Sequence, residues 1–303
     1  MPRTIITGLD GSAESRAAAE WAAREARLRG LPLRLIEVRE PLPEPAARAP
    51  FPGAAEASPA DGRETAPEEA AAGLRLRHPG IEVTAEQVPG RPHEVLVKAA
   101  KDAELLVLGS RGLGGLAGFL VGSVGLAVVA RTERPVVLVR AGEQAADEHE
   151  PDPTGIPSAA TRYRPVLLGV DVDRPDDAVI RFAFAEAARR GTGLRVLHGW
   201  NLPPYYVHGL PAAPEVHRAV ADQQAAALAK TLSPWRAEFE DVDVVEESFG
   251  GSPSIRLIDA SREASLVVVG RRVRRNPFGI RIGSITHAVL HHSAAPVAVV
   301  AHD

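Results

Sequence analysis

Cysteine is absent from the 303 residues. That excludes a disulfide framework and a thiolate metal site, and it is compatible with a reducing compartment. Aromatic residues make up only 4% of the chain, so the core must be built mainly from Val, Leu, Ile and Ala. Neither sign of charge dominates. Lys and Arg number 35 against 39 Asp and Glu, a formal net charge of −4, and this balance gives no reason to expect a nucleic acid partner. The opening MPRTIITGLDGS lacks a basic segment followed by an apolar one, so no secretion signal is expected and the cytoplasm is the expected location. Several catalytic signatures are also missing. Gly-x4-Gly-Lys-Ser/Thr, His-Glu-x-x-His and Gly-x-Ser-x-Gly do not occur.

What is present is a repeat. Ile5-Ile6-Thr7-Gly8-Leu9-Asp10 aligns with Val166-Leu167-Leu168-Gly169-Val170-Asp171 at an offset of 161 residues. Leu33 to Ile36 meet Leu194 to Leu197 at the same spacing, as do Gly90 and Gly251, Gly109 and Gly270, Gly122-Ser123 and Gly283-Ser284, and Pro135 and Pro296. The chain is a tandem duplication, with repeats expected at 1–141 and 164–303 and a linker at 142–163. The linker contains EQAADEHEPD, acidic without Lys or Arg, and reads as solvated.

Each repeat alternates short β-branched or Leu-rich runs with Ala-rich helical stretches. Strands are predicted near 3–9, 33–38, 81–87, 104–109 and 135–140, and in the second repeat near 165–171, 194–200, 241–247, 265–270 and 296–301. Helices fit 13–29, 67–77, 92–101 and 123–132. Runs such as Leu105-Leu106-Val107-Leu108 suit strands covered on both faces. The expectation is an α/β chain of two doubly wound, five-stranded parallel sheets. Strands 135–140 and 296–301 are apolar, and each would leave an open sheet edge unless they pair as an internal pseudo-dimer. Dimers of the whole chain stay open. Pro41 to Pro67 holds seven prolines and is expected to be a long loop, with Pro203 to Pro214 as its counterpart.

Gly112 to Ala130 contains no charged residue, but its glycine content and the second repeat's RRVRRNPFGIRIGS argue against a membrane span. A Rossmann fingerprint would follow the first strand, whereas Gly112-x-Gly114-x-x-Ala117 follows the fourth. What remains is Gly109-x-x-Gly112, nine residues, then Gly122-Ser123 opening a helix. Glycines at 109 and 112 allow close backbone approach to a ligand and positive φ. Gly122-Ser123 places N–H groups and a hydroxyl at a helix start, where phosphate is favoured. His287 and His291 have a spacing that can hold a metal; with no third ligand in sight they read as surface or interface histidines, and no metal site is expected.

Gly-x-x-Gly-x9-Gly-Ser, a Gly-Leu-Asp-Gly-Ser turn after the first strand, and Arg134-Pro135-Val136-Val137-Leu138-Val139 as the last strand together resemble the universal stress protein family, in its nucleotide-binding branch. The resemblance implies strand order 3-2-1-4-5, pairing through the last strands, and ATP as ligand, with or without Mg2+, ahead of cyclic AMP. It assigns Asp10 to the nucleoside end, Val38 to adenine through its backbone, Gly109 and Gly112 to the ribose and phosphates, and Gly122, Ser123 and Val124 to the phosphates. Ser110 and Arg111 are additions. Asp10 has a competing reading as a helix cap, with Ser12 the other candidate.

The second repeat keeps Asp171, Gly270, Gly283 and Ser284 but has Val273 at the position of Gly112, Val172-Asp173 for Gly11-Ser12, and Gly199 for Val38. Arg271, Arg272, Arg274 and Arg275 bring charge to its loop, and a weakened or altered site is expected there. The implied function is an ATP-binding stress-response or dormancy regulator. The alternatives are a slow ATPase or self-phosphorylating enzyme and a nucleotide-independent scaffold. No base aimed at a γ-phosphate is evident, so efficient hydrolysis is not expected.

Overall fold

In a computed structural model of the chain, the described residues are 3–40, 66–110, 121–202, 214–273 and 282–303. Ten strands form one continuous sheet. In the first repeat these are β1 (Thr4–Leu9), β2 (Leu33–Arg39), β3 (Val83–Pro89), β4 (Ala103–Ser110) and β5 (Val136–Arg140). In the second they are β6 (Val166–Gly169), β7 (Leu194–Trp200), β8 (Val244–Gly250), β9 (Leu266–Arg272) and β10 (Val297–His302). The order is β3-β2-β1-β4-β5-β10-β9-β6-β7-β8. Each half is therefore 3-2-1-4-5, wholly parallel. The halves join where β5 and β10 run antiparallel, with Leu138 opposite Val297 and Val136 opposite Val299. Both strands carry apolar side chains on both faces, and pairing them removes two edges that would otherwise be open.

Helices α1 (Ala13–Arg29), α2 (Ala66–Arg77), α5 (Asp177–Arg190) and α6 (Pro214–Glu238) cover one face. On the other lie α3 (Pro92–Ala100), α4 (Ser123–Val129), α7 (Pro253–Ala260) and α8 (Ser284–His292). Two cores result, and each runs through both halves. One holds Trp21, Leu105, Phe184 and Leu232; the other holds Ile6, Leu106, Val267 and Leu290. Leu105 and Leu106 fall on opposite faces because successive strand residues alternate. The last residues of the expected proline loop belong to α2, whose first turn includes the buried Pro67, a place where proline's missing N–H costs nothing. The rest of that loop, 41–65, lies outside the described residues, as does most of its counterpart, 203–213.

Where α1 and α5 meet, four charged side chains close a ring. Arg29 donates from Nε to Glu25 at 2.6 Å and from Nη2 to Glu186 at 2.5 Å. Arg190 donates from Nη2 to Glu25 at 2.6 Å and from Nη1 to Glu186. All four are buried. Burial pushes the Glu25 carboxyl up, but Arg190 and Arg29 more than offset this and hold it at about 2.

The linker departs from the solvated reading. Residues Ala145–Glu148 form a short 3-10 turn. Glu148 is buried and accepts from Arg24 Nε at 2.9 Å. His149 stacks on Tyr163 with centroids 4.0 Å apart, and the same two residues form an antiparallel bridge. The acidic run is held because one of its carboxylates finds a guanidinium on α1.

Candidate functional site

In the first repeat, the carboxyl ends of β1, β2 and β4 open into a cavity of about 370 Å3. Open α/β sheets place ligands at this edge. Asp10, Val38, Gly109, Gly122, Ser123 and Val124 line it, together with Ser12, Glu14 and Glu40. Residues predicted from four separate stretches of sequence are thus brought to one concavity. Arg111 and Gly112 lie outside the described residues. Ser110 does not line the cavity. It is buried, and its hydroxyl donates to the Val139 carbonyl at 3.2 Å.

The turn after β1 explains two of these side chains. Gly11 has φ of 77°, which a β-branched residue would resist. That turn lets Asp10 Oδ1 accept from both the backbone N–H and the hydroxyl of Ser12, at 3.0 and 2.5 Å. Ser12 caps α1, its Oγ accepting from Ser15 N at 3.1 Å. The helix cap is therefore Ser12, and Asp10 orients it from the cavity wall. Gly122, the residue before α4, has φ −61° and ψ 156°, and no side chain caps that first turn.

Gly109 differs from expectation. It is not among the described glycines with positive φ. Its need for glycine is set by α1: a Cβ there would lie 2.5 Å from the carbonyl carbon of Glu14 and 2.7 Å from its oxygen. Strand and helix backbones touch at the cavity floor, and only a hydrogen fits between them.

The second repeat has a corresponding cavity of about 460 Å3 with different chemistry. Asp171 and Gly270 line it, as does Gly199. Gly283 and Ser284 open α8 with nearly the same geometry as their counterparts, Gly283 at φ −64° and ψ 155°, but the cavity is lined by the next two residues, Ile285 and Thr286. With Val172 in place of Gly11, the turn after β6 is rebuilt. Asp176 takes over as cap, accepting from Ala178 N and Val179 N, and α5 starts about one turn later in its repeat than α1 does. Arg174, Arg272 and His302 enter the lining. Imidazole atoms of His302 lie within 3.0 Å of where a Gly270 Cβ would be, and its Nδ1 is 3.4 Å from Asp176. The described lining charges are thus all acidic in the first cavity and mixed in the second.

Two residues of the second repeat serve the first. Arg271, expected in the second loop's charge cluster, is instead buried across the junction and donates to the carbonyls of Ala130, at 3.4 Å, and Thr132. His291 is buried, and its Nδ1 accepts from Val121 N at 3.3 Å. Helix α4, which brings Ser123 and Val124 to the cavity, is therefore held at both ends from the other half. His291 is an interface histidine, and among the described residues no group of three metal-ligating side chains is gathered. Val273 donates its N–H to the His302 carbonyl. Arg274 and Arg275 lie outside the described residues.

Two parallel half-sheets joined through their last strands, each with a cavity at its carboxyl edge, define a tandem, doubly wound α/β protein. The sequence model of the universal stress protein family matches residues 1–140 and again 162–301. A universal stress protein of Mycobacterium tuberculosis is 32% identical over 314 residues, spanning 97% of this chain and 94% of the relative. Another from the same organism is 32% identical over 308 residues, spanning 97% and 96%. The crystal structure of a universal stress protein from Archaeoglobus fulgidus superposes with a TM-score of 0.61 at 15% identity, covering 99% of this chain and 98% of that one, a likeness of fold. The chain belongs to the universal stress protein family. No helix among the described residues is long and apolar enough to cross a membrane.

Proposed function

We propose that the chain binds an adenine nucleotide, ATP, in the cavity of the first repeat and acts as a nucleotide-dependent regulator in stress or dormancy. In this reading residues 1–141 form the binding domain and 164–303 a second domain with an altered site. One observation carries it: Asp10, Val38, Gly109, Gly122, Ser123 and Val124 line a single cavity. The volume lies within the usual range for small-ligand sites. The acids Asp10, Glu14 and Glu40 would repel phosphate and accept from hydroxyl or amino donors. They therefore suit the nucleoside end. The phosphates would lie toward Gly122, Ser123 and Val124, where the first turn of α4 is uncapped. The second cavity, with His302 over Gly270, supports weaker binding there.

Gly122→Glu tests this. The backbone at 122 is extended and accepts a side chain without strain, so the variant should fold and place a carboxylate where phosphate is expected. Calorimetric titration with ATP, in Mg2+ and in EDTA, should show affinity at least ~10-fold weaker, about 1.4 kcal/mol. Unchanged affinity in the folded variant would exclude the site. Loss with Asp171→Asn but not Asp10→Asn would move the nucleotide to the second repeat.

A further inference from the structure

A cavity of about 420 Å3 lies apart from both strand-end cavities, at the junction of the halves. It opens between the end of β5, the linker, the chain leading into β6 and the turn after α7. Arg140, Arg164 and Arg262 line it, with Glu143 and Asp147, and alanines form much of the remaining wall. The guanidiniums of Arg140 and Arg164 are aimed by backbone. Arg164 donates from Nε to the His149 carbonyl at 2.9 Å and from Nη1 to the Arg262 carbonyl at 2.6 Å. Arg140 donates from Nη1 to the Ser293 carbonyl at 2.6 Å. Among the described residues no carboxylate pairs with Arg164 or Arg262. Burial lowers the pKa of Arg140; Glu143 pulls it back up, and the charge of Arg262 pushes it down again.

The acids on the wall do not cancel this charge. Glu143 Oε1 is buried without a hydrogen-bond partner. Burial first, then Glu148 and Asp147, raise its carboxyl to about 8 against the pull of Arg24 and Arg140. At pH 7 Glu143 is therefore mostly protonated, a hydrogen-bond donor rather than an anion. Asp147 is engaged with Gln144 N at 2.9 Å. Three cations face one carboxylate, and the planar forks of arginine match the oxygens of an oxyanion.

We propose that this junction cavity is a second ligand site, taking a small doubly charged oxyanion: phosphate, or the phosphoryl end of a small phosphate monoester. The inference does not rest on the nucleotide reading. The volume falls within the range of small-ligand sites, and the alanines leave room for a short organic group. Linker, β5 and the start of the second half all contribute, so a bound anion ties the two halves together.

The test is calorimetric titration of the full chain with sulfate, inorganic phosphate and glycerol 2-phosphate, at ionic strength held constant with chloride. Saturable binding near one equivalent is expected, unchanged in Gly122→Glu and at least ~10-fold weaker in Arg164→Gln/Arg262→Gln. Glycerol 2-phosphate binding tighter than phosphate identifies the monoester; the reverse identifies the free ion. Sulfate keeps its charge from pH 7 to 9, so its affinity should fall several-fold as Glu143 ionises, and Glu143→Gln should abolish that fall. Absence of saturable binding, unchanged binding in the folded double variant, or a pH dependence that survives Glu143→Gln would each overturn the site.

Discussion

Arg190→Met should lower unfolding stability by about 3–5 kcal/mol, the usual result of removing one partner from a buried ion pair. Glu25 would be left buried with Arg29 alone, and Glu186 with Arg29 and the partly exposed Arg189. Two buried carboxylates bridged by one guanidinium, with the second also at the partly exposed Arg189, cannot both stay ionised without cost. Urea unfolding followed by circular dichroism reads the change as a shifted midpoint at unchanged slope. A loss within ~0.5 kcal/mol would show the ring to be inert, as ordinary surface substitutions are. Replacing all four members with Leu or Met should recover most of the loss, because the one ring-contacting charge then left without Glu186, Arg189, is partly exposed. The pH sign follows from Glu25. Its folded pKa lies below the unfolded value, so its stabilisation is present above pH ~4.5 and fades as pH falls through about 2. Burial and the charge of Glu25 push the Glu186 carboxyl up, a contribution of opposite sign, so the Glu25 share is read against Glu25→Gln, relative to which wild type should lose stability across that interval.

The ring also shows what the sequence conceals. Glu25 and Glu186 share the 161-residue spacing, as do Arg29 and Arg190. The repeat thus contains the signal, yet charges on an Ala-rich helix read as a solvated face. Only the pairing of β5 with β10 brings α1 against α5 and buries them. That pairing itself was readable, since two apolar edge strands in a duplicated parallel unit have few other ways to be covered. The order 3-2-1-4-5 came from family resemblance rather than periodicity, and the strand-helix alternation supported it. Glu148 and Arg271 misled for one reason: a charged residue in a polar run gives no sign that its partner lies far along the chain, as Arg24 and Thr132 do.

The candidate site was readable to a similar depth. Motif spacing brought Gly109 and Gly122 to one loop, and the turn after β1 supplied Asp10. Ser110 was less accessible, because side-chain direction changes at every strand residue and its hydroxyl is spent on Val139. The rebuilt turn of the second repeat was partly foreseen in Val172, which replaces a glycine at positive φ in the first. Its consequences were not: a later helix start, Asp176 as cap, and His302 drawn over Gly270.

Gly109→Ala and Gly270→Ala should therefore part company, although the two positions are equivalent in the repeat. At Gly109 the new methyl meets backbone: the Glu14 carbonyl carbon at 2.5 Å and oxygen at 2.7 Å. The start of α1 cannot easily retreat, because Ser12 caps it and Asp10 holds Ser12. Forced overpacking of this kind costs about 1–3 kcal/mol, and any retreat moves a wall of the first cavity, so ATP affinity should fall along with stability. At Gly270 the methyl meets His302 Nε2 at 2.9 Å and Cδ2 at 3.0 Å, with Val179 at 3.2 Å. An imidazole, unlike a helix backbone, can swing aside, giving up its contacts with Asp176 at 3.4 Å and the Asp303 carbonyl at 3.2 Å. A cost of about 0.5 kcal/mol, typical of sites without a backbone clash, is expected. Thermal unfolding and ATP titration of both variants separate the alternatives. Equal stability losses would mean that α1 is not the constraint on Gly109. If Gly109→Ala keeps full stability and loses only ATP binding, the glycine serves close approach of the ligand rather than of the helix.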